Sequence, residues 1–167
     1  MSRTDDFEEF AQARLPQLYR AAWLLCGDTH LAEDLVQEAL AKVYARWMRR
    51  LAPPIENPAA YAQTTLVRTF ISQRRRRSSH ELPSGALPEL ASLEGDADLR
   101  MSLSAALAAL PPLDRAVLVL RFLDDRSVAD TATQLGVSEG AVRNRSMRAL
   151  SRLRDHFGAS LPDLTTL

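Results

Sequence analysis

Four side chains near the end of this sequence carry its clearest chemistry, and their spacing would bring them to the outer face of one helix. They are Arg143, Asn144, Met147 and Arg148. Arginine supplies a cation for phosphate groups, and forked donors of this kind also pair with the edges of bases. A helix with such a face fits the DNA major groove, so the sequence predicts that the chain binds DNA.

The residues around this face predict a helix-turn-helix over residues 127–148. Gly136 lies where the chain must reverse, because glycine adopts a left-handed conformation at little cost, and Ser138 is placed to cap the second helix. The apolar residues that would close a small core are Ala132, Leu135, Val137 and Val142. Two ordinary packed helices with solvated arginines are the alternative, but five arginines within residues 143–154 favour DNA binding.

A second polar patch lies within residues 32–38, on a helix that also carries a full apolar face. Asp34, Gln37 and Glu38 form this patch. On composition alone it is a solvated surface in which Glu38 pairs with Lys42 one turn later. The apolar stripe of the same helix is Leu31, Leu35, Ala39, Val43 and Trp47. A polar patch backed by such a stripe could also dock a basic, elongated partner.

A third candidate site is the basic end of the following helix. Its residues are Arg68, Arg74, Arg75, Arg76 and Arg77. Four consecutive arginines point around a helix in all directions, which serves a phosphate backbone better than it serves a fold. Residues 51–80 hold five arginines and one acid, whereas residues 81–100 hold five acids and one arginine. This distribution predicts a local nucleic-acid contact followed by a solvated tether.

Helical periodicity extends through nearly the whole chain, so the predicted fold class is all-α. The expected architecture is two small helical domains joined by a flexible linker. A three-helix-type bundle should cover residues 5–77, an acidic linker residues 78–97, a helix-turn-helix domain residues 98–157 and a frayed tail residues 158–167.

Local signals predict the ends of these helices. Pro16 should kink or split the first helix, Asp28 should cap the second, and Asn57 should cap the third. Capping and turn formation are expected to explain the acidic pairs at residues 5–6 and 124–125. The aromatic residues Trp47, Tyr61 and Phe70 are expected in the core, although an aromatic near the loop at residues 48–57 could stack on an unpaired base.

Several classes of protein are excluded by what the sequence lacks. Cys26 is the single cysteine, so no intramolecular disulfide can form and a reducing compartment fits. The three histidines lack metal-ligand spacing, and no metal or cofactor is expected. No catalytic constellation is present, so the chain is not expected to be an enzyme. No apolar run is long enough to span a membrane and the start is acidic, so a cytoplasmic location is expected.

In order and spacing, these motifs resemble those of bacterial sigma factors of the extracytoplasmic-function (ECF) group, which keep only two of the usual sigma domains. Residues 32–38 (AEDLVQE) resemble the family's signature helix, residues 109–121 the opening of its second domain, and residues 135–145 its recognition element. Tyr61 and the residues up to the arginine run are most similar to an actinobacterial, SigE-type subgroup. The resemblance covers residues 7–157.

The resemblance implies a promoter-specificity subunit of RNA polymerase. The first domain would bind core polymerase, at the clamp coiled coil of the largest subunit, and would capture a flipped base of the minus-ten element near residues 48–57. The second domain would meet the flap of the second subunit and read the minus-thirty-five element as duplex DNA. The implied core-polymerase contacts are Asp34, Leu35, Gln37 and Glu38.

The same resemblance implies DNA contacts along the chain. They are Arg68, Arg74, Arg75, Arg76, Arg77, Ser138, Arg143, Asn144, Arg145, Met147 and Arg148, with Arg145 and Arg148 in phosphate or core roles. Three residues depart from the family pattern: Asn144 replaces a common serine, Arg68 replaces the subgroup's usual asparagine, and Thr131 replaces a common isoleucine, which would loosen the small helix-turn-helix core.

Other partners and functions stay open at this point. An anti-sigma factor is a common partner in the family, although no residue of this sequence requires one. The alternative function is a stand-alone helix-turn-helix regulator whose first bundle serves dimerisation or ligand sensing. An enzyme fused to a DNA-binding tail is more remote, because a catalytic set of residues is missing.

Overall fold

A computed structural model describes residues 2–78 and 97–158. Within these ranges the chain forms helices and no strand, which confirms the all-α prediction. The helices are α1 (Arg3–Cys26), α2 (Thr29–Trp47), α3 (Pro58–Ser78), α4 (Ala97–Ala108), α5 (Pro112–Leu118), α6 (Val128–Leu135) and α7 (Glu139–Phe157), with a π-helical turn at Val119–Leu123. The described residues include only the two end residues of the expected linker. They also exclude the expected tail beyond residue 158.

The helix ends form where local sequence signals place them. Gly27 ends α1 in a left-handed conformation, with a φ of 69°. The Asp28 carboxylate then accepts a hydrogen bond from the Leu31 backbone N–H at 2.9 Å and caps α2. Asn57 caps α3 through the Ala60 backbone N–H at 3.1 Å. The predicted caps at Asp28 and Asn57 are therefore confirmed.

Pro16 does not split α1, which runs without interruption through it. Proline removes one main-chain donor, but the residue lies on the exposed side of the helix, where the freed carbonyl can bind water. The residues that follow, beginning with Leu18, are buried against the other helices and hold the two halves together. Of the two effects expected at Pro16, a kink or a split, the split was wrong, because tertiary packing outweighs the lost hydrogen bond.

Helices α1, α2 and α3 form the first unit around a shared apolar core. Its buried members include Leu18, Trp23, Leu25, Leu35, Val43, Leu66 and Phe70. An aromatic cluster closes the end where α1 starts and α2 stops. In this cluster the Trp47 ring lies 5.6 Å from Phe7 and 5.3 Å from Phe10, measured between ring centroids. Phe70 is buried as expected, whereas Tyr61 is 38 % exposed and lies outside the core.

The second unit comprises α4, α5, α6 and α7, and its helix-turn-helix has a small core of its own. Ala132 and Val142 pack with Val117 of α5, and Leu135 and Val137 flank them, as the sequence predicts. Thr131 lies beside this core and has no exposed surface. Its hydroxyl group has no hydrogen-bond partner in the structure, so the departure from isoleucine leaves a buried polar atom unsatisfied.

The two units pack directly against each other and share one continuous apolar core. Leu24 of α1 lines a small internal cavity together with Leu107, Leu118 and Leu123 of the second unit. Arg115 of α5 also crosses it: one of its guanidinium nitrogens donates to the Leu25 carbonyl at 2.6 Å, and the guanidinium lies 5.3 Å above the Phe70 ring. The boundary between the units is therefore a packed interface.

Asp124 lies at this interface and ends the π-helical turn, with its N–H bonded to the Val119 carbonyl. Its carboxylate accepts a hydrogen bond from Gln63 of α3 and is attracted by the charge of Arg126. Burial raises the pKa of Asp124 to about 6, while Arg126 and the hydrogen bond from Gln63 oppose that rise. The next helix, α6, is capped by the Ser127 hydroxyl, so Asp124 fits the expected turn but is not an N-cap. The explanation by capping holds for Asp5, which forms a reciprocal capping box with Ser2.

Replacing Asp124 with asparagine should stabilise the fold at neutral pH. Its folded pKa lies above the unfolded one, so the stability that the protonated group contributes is complete below about pH 4 and lost as the pH rises through 6. We expect Asp124→Asn to raise the free energy of unfolding by about 1–2 kcal/mol at pH 7.5, and by roughly half as much at pH 5. Urea unfolding followed by circular dichroism measures both values.

The exposed neighbour Asp125 offers a matched control for that measurement. Asp125→Asn makes the same charge change and keeps a residue that tolerates the positive φ of 52° found there. It should change stability by less than about 0.5 kcal/mol at either pH. A gain from Asp124→Asn that is the same at both pH values would contradict the titration of Asp124.

Replacing Thr131 with valine should also stabilise the protein. Valine has nearly the same shape and removes the buried hydroxyl that has no partner, so we expect a gain of about 1 kcal/mol in unfolding free energy. Thr133→Val is the control, because the exposed Thr133 hydroxyl donates to the Ala129 carbonyl at 3.1 Å. Thermal unfolding should show a rise for the first variant alone, and an equal or lower midpoint for Thr131→Val would refute the assignment.

Candidate nucleic-acid interface

The helix-turn-helix presents α7 with its arginine face outward. Gly136 reverses the chain at a φ of 67°, and the Ser138 hydroxyl caps α7 by accepting from the Ala141 backbone N–H at 3.1 Å. Met147 is 66 % exposed, and Arg143 and Asn144 are exposed beside it. Arg143 is paired with Glu139 one turn earlier at 3.2 Å, a surface contact that solvent weakens. These three side chains are available to a base edge.

Arg145 lies on the other side of α7 and faces the protein. Two positions correspond to about 200° around a helix, so Arg143 and Arg145 point in nearly opposite directions. A guanidinium nitrogen of Arg145 lies 2.7 Å from a carboxylate oxygen of Asp114, which α5 holds with no exposed surface. Arg148 lies 3.9 Å from the second oxygen and remains half exposed. Arg145 is therefore engaged within the protein by Asp114, whereas Arg148 remains accessible to solvent.

Sequence reasoning missed Asp114 because its partners are about 30 residues away. The carboxylate belongs to the first turn of α5, two residues after Pro112, where an acid is usual. Asp114 is fully buried, whereas the Arg145 side chain keeps 29 % of its surface exposed, so losing Arg145 would leave a buried carboxylate without its nearest partner. Asp114 thus fixes the rotation of α7 and turns its Arg143 face outward.

The arginines of α3 are divided between internal contacts and solvent. Arg68 is exposed, and its Nε donates to the Gln134 carbonyl of α6 at 2.8 Å. Arg74 lies over the Phe70 ring at 5.5 Å, and Arg76 pairs with Glu38 of α2 at 3.5 Å. Arg75 and Arg77 are exposed at the end of the helix.

The four α2 residues that the family resemblance assigns to polymerase binding differ in how exposed they are. Asp34 and Gln37 are exposed, whereas Leu35 has no exposed surface and belongs to the core. Glu38 ties α2 to α3: it accepts a 2.5 Å hydrogen bond from Gln73 and pairs with Lys42 at 3.5 Å. The Gln73 hydrogen bond is the main reason why the pKa of Glu38 is lowered. The accessible part of the patch is Asp34 and Gln37.

The loop between α2 and α3 exposes an apolar side chain that sequence reasoning did not single out. Leu51 is fully exposed, and the loop beneath it is fixed by Arg46, which donates to the Pro53 carbonyl at 2.8 Å. Trp47 and Tyr44 contact aromatic rings of α1, whereas Tyr61 lies outside that cluster, at the start of α3, with 38 % of its surface exposed. The only sequence signal for Leu51 was its position in a loop, two residues before Pro53 and Pro54.

A groove of about 340 Å³ runs between α3 and α6. Its lining combines Arg68 and Arg75 with the last turn of α6. Among the described residues, no group of three or more histidine, cysteine or acidic side chains could hold a metal ion. In the same ranges no helix has both the length and the apolar character needed to cross a bilayer.

Comparison with known proteins identifies the family. A family model described as Sigma-70 region 2 matches residues 10–80, and one described as Sigma-70, region 4 matches residues 100–153. The RNA polymerase sigma-E factor of Streptomyces coelicolor is 37 % identical over 95 % of this chain and 90 % of the relative. The ECF RNA polymerase sigma factor SigE of Mycolicibacterium smegmatis is 30 % identical over 90 % of this chain and 61 % of the relative.

A solved structure shows the same fold across both units. It is the sigma factor RpoE in complex with the anti-sigma factor NepR from Bartonella quintana, with a TM-score of 0.70 and 28 % identity over 93 % of this chain and 98 % of that one. Matches that span both helical units favour a polymerase specificity subunit over a stand-alone regulator or an enzyme. The chain therefore belongs to the ECF group of RNA polymerase sigma factors, of the SigE type, and is a promoter-specificity subunit of RNA polymerase.

Proposed function

We propose that Asp34 and Gln37 form the contact with core polymerase and that Arg143, Asn144 and Met147 read the upstream promoter element. The main support for these assignments is the face of α7 that points outward, because Arg145 on its other side pairs with the buried Asp114. Core polymerase and promoter DNA occupy the cytoplasm, so we place the action of this chain there. An anti-sigma factor is a further candidate partner, by similarity to RpoE.

The polymerase contact is assigned to α2 because two polar side chains stand on a rigid support. Asp34 and Gln37 are exposed one turn apart, on a helix that Leu35 and Val43 bury against the core. Glu38 anchors this helix to α3, so the patch keeps its shape without a partner. We assign its partner to the clamp coiled coil of the largest subunit, while the flap of the second subunit would meet the second unit.

The upstream contact is assigned to α7 because base-reading and phosphate-binding groups lie side by side. Arg143 and Asn144 offer donors to base edges and Met147 offers an apolar contact for a thymine methyl group. Arg148 is placed for a phosphate, and Ser138 lies at the N-terminus of α7, where main-chain N–H groups favour an anion. Arg145 is assigned to the support of α7 and not to DNA.

The downstream contact is assigned to the loop before α3 and to α3 itself. Leu51 and Tyr61 supply apolar and aromatic surface for an unstacked base, and unstacking costs a few kcal/mol for each flipped base. Arg68, Arg75 and Arg77 supply positive charge along the same helix. Each contact is small, so affinity for a promoter comes from linking two weak sites on one polymerase.

Removing the two exposed side chains of α2 should prevent the chain from joining core polymerase. We expect Asp34→Ala combined with Gln37→Ala to weaken core binding by about tenfold or more and to abolish run-off transcripts. Glu9→Ala combined with Gln12→Ala is the matched control, since this exposed carboxylate and amide have the same spacing on α1. Full activity of the first double variant would remove the assignment of this patch.

Arg143 and Arg145 should fail in different ways when each is replaced by alanine. With the reconstituted holoenzyme, Arg143→Ala should weaken binding to promoter DNA by about 1–3 kcal/mol and relax the base preference at the contacted position, with no loss of stability. Arg145→Ala should leave the base preference unchanged and lower the free energy of unfolding by about 2–3 kcal/mol, because the buried Asp114 loses its nearer partner and keeps only Arg148 at 3.9 Å. Weaker promoter binding by Arg145→Ala, with unchanged stability, would identify Arg145 as a DNA contact instead.

A further inference from the structure

Arg46 crosses the loop between α2 and α3 and holds its far side. The residue lies in the last turn of α2, and one of its guanidinium nitrogens donates to the Pro53 carbonyl at 2.8 Å, seven positions along the chain. In the described part of the chain, no other hydrogen bond reaches residues 50–56. The path of this loop therefore depends on one arginine.

The anchored stretch is stiff, because it contains Pro53 and Pro54 in succession. Each proline ring fixes its own φ and restricts the residue before it to an extended conformation. Neither proline has an N–H group, so only the carbonyls of this pair can take part in main-chain hydrogen bonds. An anchor for the stretch must therefore be a donor from another element, and Arg46 is that donor.

The loop held in this way presents Leu51 to solvent between polar neighbours. The Leu51 side chain is fully exposed, whereas Ala52 and Ile55 are partly covered. A side chain that buries no surface adds nothing to an apolar core, so packing does not explain Leu51. Arg49 and Arg50, directly before it, are exposed as well. An apolar tip that follows two cations suits an unstacked base and its phosphates.

The state of the loop before DNA arrives affects how tightly it can hold a base. Unstacking a base already costs free energy, and a mobile loop would add the cost of its own ordering at the moment of binding. A loop that is fixed when the chain folds avoids this second cost. The hydrogen bond from Arg46 to Pro53 is present in the chain without DNA, so it can order the loop in advance.

We propose that Arg46 is a positioning residue for base capture, because its hydrogen bond to Pro53 holds the loop so that Leu51 meets an unstacked base of the downstream promoter element. This inference rests on the proposed function in one respect, namely that the loop before α3 receives that base. Arg46 acts through the loop and not by contact with DNA, since its guanidinium is engaged within the protein.

The first measurement tests the anchor in the full-length chain, without polymerase or DNA. Trypsin cleaves after arginine, so the rate of cleavage after Arg49 and Arg50, followed by mass spectrometry, reports how often the loop opens. We expect Arg46→Ala to raise this rate by about fivefold, the scale of one hydrogen bond. Arg14→Ala is the control and should leave the rate unchanged, because Arg14 bonds only to Gln17 of its own helix.

The second measurement tests base capture with the reconstituted holoenzyme. The probe is a promoter fragment that the unmodified holoenzyme selects from a pool of randomised duplexes. A fluorescent adenine analogue in its downstream element emits more strongly when the base leaves the stack. We expect Arg46→Ala to lower the equilibrium constant for this opening by about fivefold, the same factor as in the loop measurement, and Arg14→Ala to leave it unchanged.

Two further variants separate positioning from direct contact. Leu51→Ala should itself reduce opening, and adding Arg46→Ala to it should cost clearly less than Arg46→Ala costs alone, because the side chain that the anchor positions is already gone. Arg46→Lys keeps the positive charge but not the planar fork. Opening by this variant should follow its resistance to trypsin and not its charge. Circular dichroism checks that each variant is folded.

Every other outcome contradicts a named part of the proposal. Unchanged cleavage of Arg46→Ala would remove the anchor. Normal opening by Arg46→Ala, or an equal loss with and without Leu51, would show that Arg46 does not position Leu51. Full opening by Arg46→Lys with a rapidly cleaved loop would make charge the cause. Normal opening by Leu51→Ala would refute the proposed downstream contact instead, and the trypsin result would then identify Arg46 as a structural anchor only.

Discussion

Hydrogen bonds from arginine to main-chain carbonyls hold this structure together where its parts meet. Arg46 fixes the loop before α3 through Pro53, and Arg115 crosses between the units to Leu25. A guanidinium group has five donors in a planar fork, so it can satisfy a carbonyl and still keep contact with water or an aromatic ring. Burial lowers the pKa of Arg115 to about 10, with the charge of Arg74 as a smaller cause, so this arginine stays charged at neutral pH.

The same property makes arginine ambiguous in a sequence that binds nucleic acid. Lys42 is the one lysine of this sequence, and every other Lys or Arg position is an arginine. Residue type therefore does not distinguish structural cations from DNA contacts. Position around the helix does separate them. Arg143 and Arg145 differ by two positions and therefore by about 200°, which sends one to solvent and the other to Asp114. A buried acid on the neighbouring helix thus decides which arginines remain for DNA.

Features with local causes could be predicted from the sequence, and features with distant partners could not. The caps at Asp28 and Ser138 and the reversal at Gly136 depend on residues within four positions, and all three appear in the structure. Leu35 belongs both to the apolar stripe of α2 and to the motif that resembles the family's polymerase-binding helix. These two patterns predict different positions for its side chain, and its burial agrees with the apolar stripe.

The interface between the units was beyond sequence reasoning for the same physical reason. Arg126 meets residues that are 62 and 66 positions away, and the contact depends on the π-helical turn, for which no residue pattern gave a sign. Asp124 is similar, because an acid after a helix is normally explained by turn formation. Its contact with Gln63 requires knowing that α3 lies alongside.

The interface between the units combines directional polar contacts with an apolar core. One guanidinium nitrogen of Arg126 donates to the Thr64 hydroxyl and the other to the Ala60 carbonyl, so the contact is satisfied only in one register. The apolar part, around Leu24 and Leu118, favours packing without fixing its geometry, because the hydrophobic effect is not directional. The arginine bonds therefore fix how the two units meet, and the burial of apolar surface favours their packing.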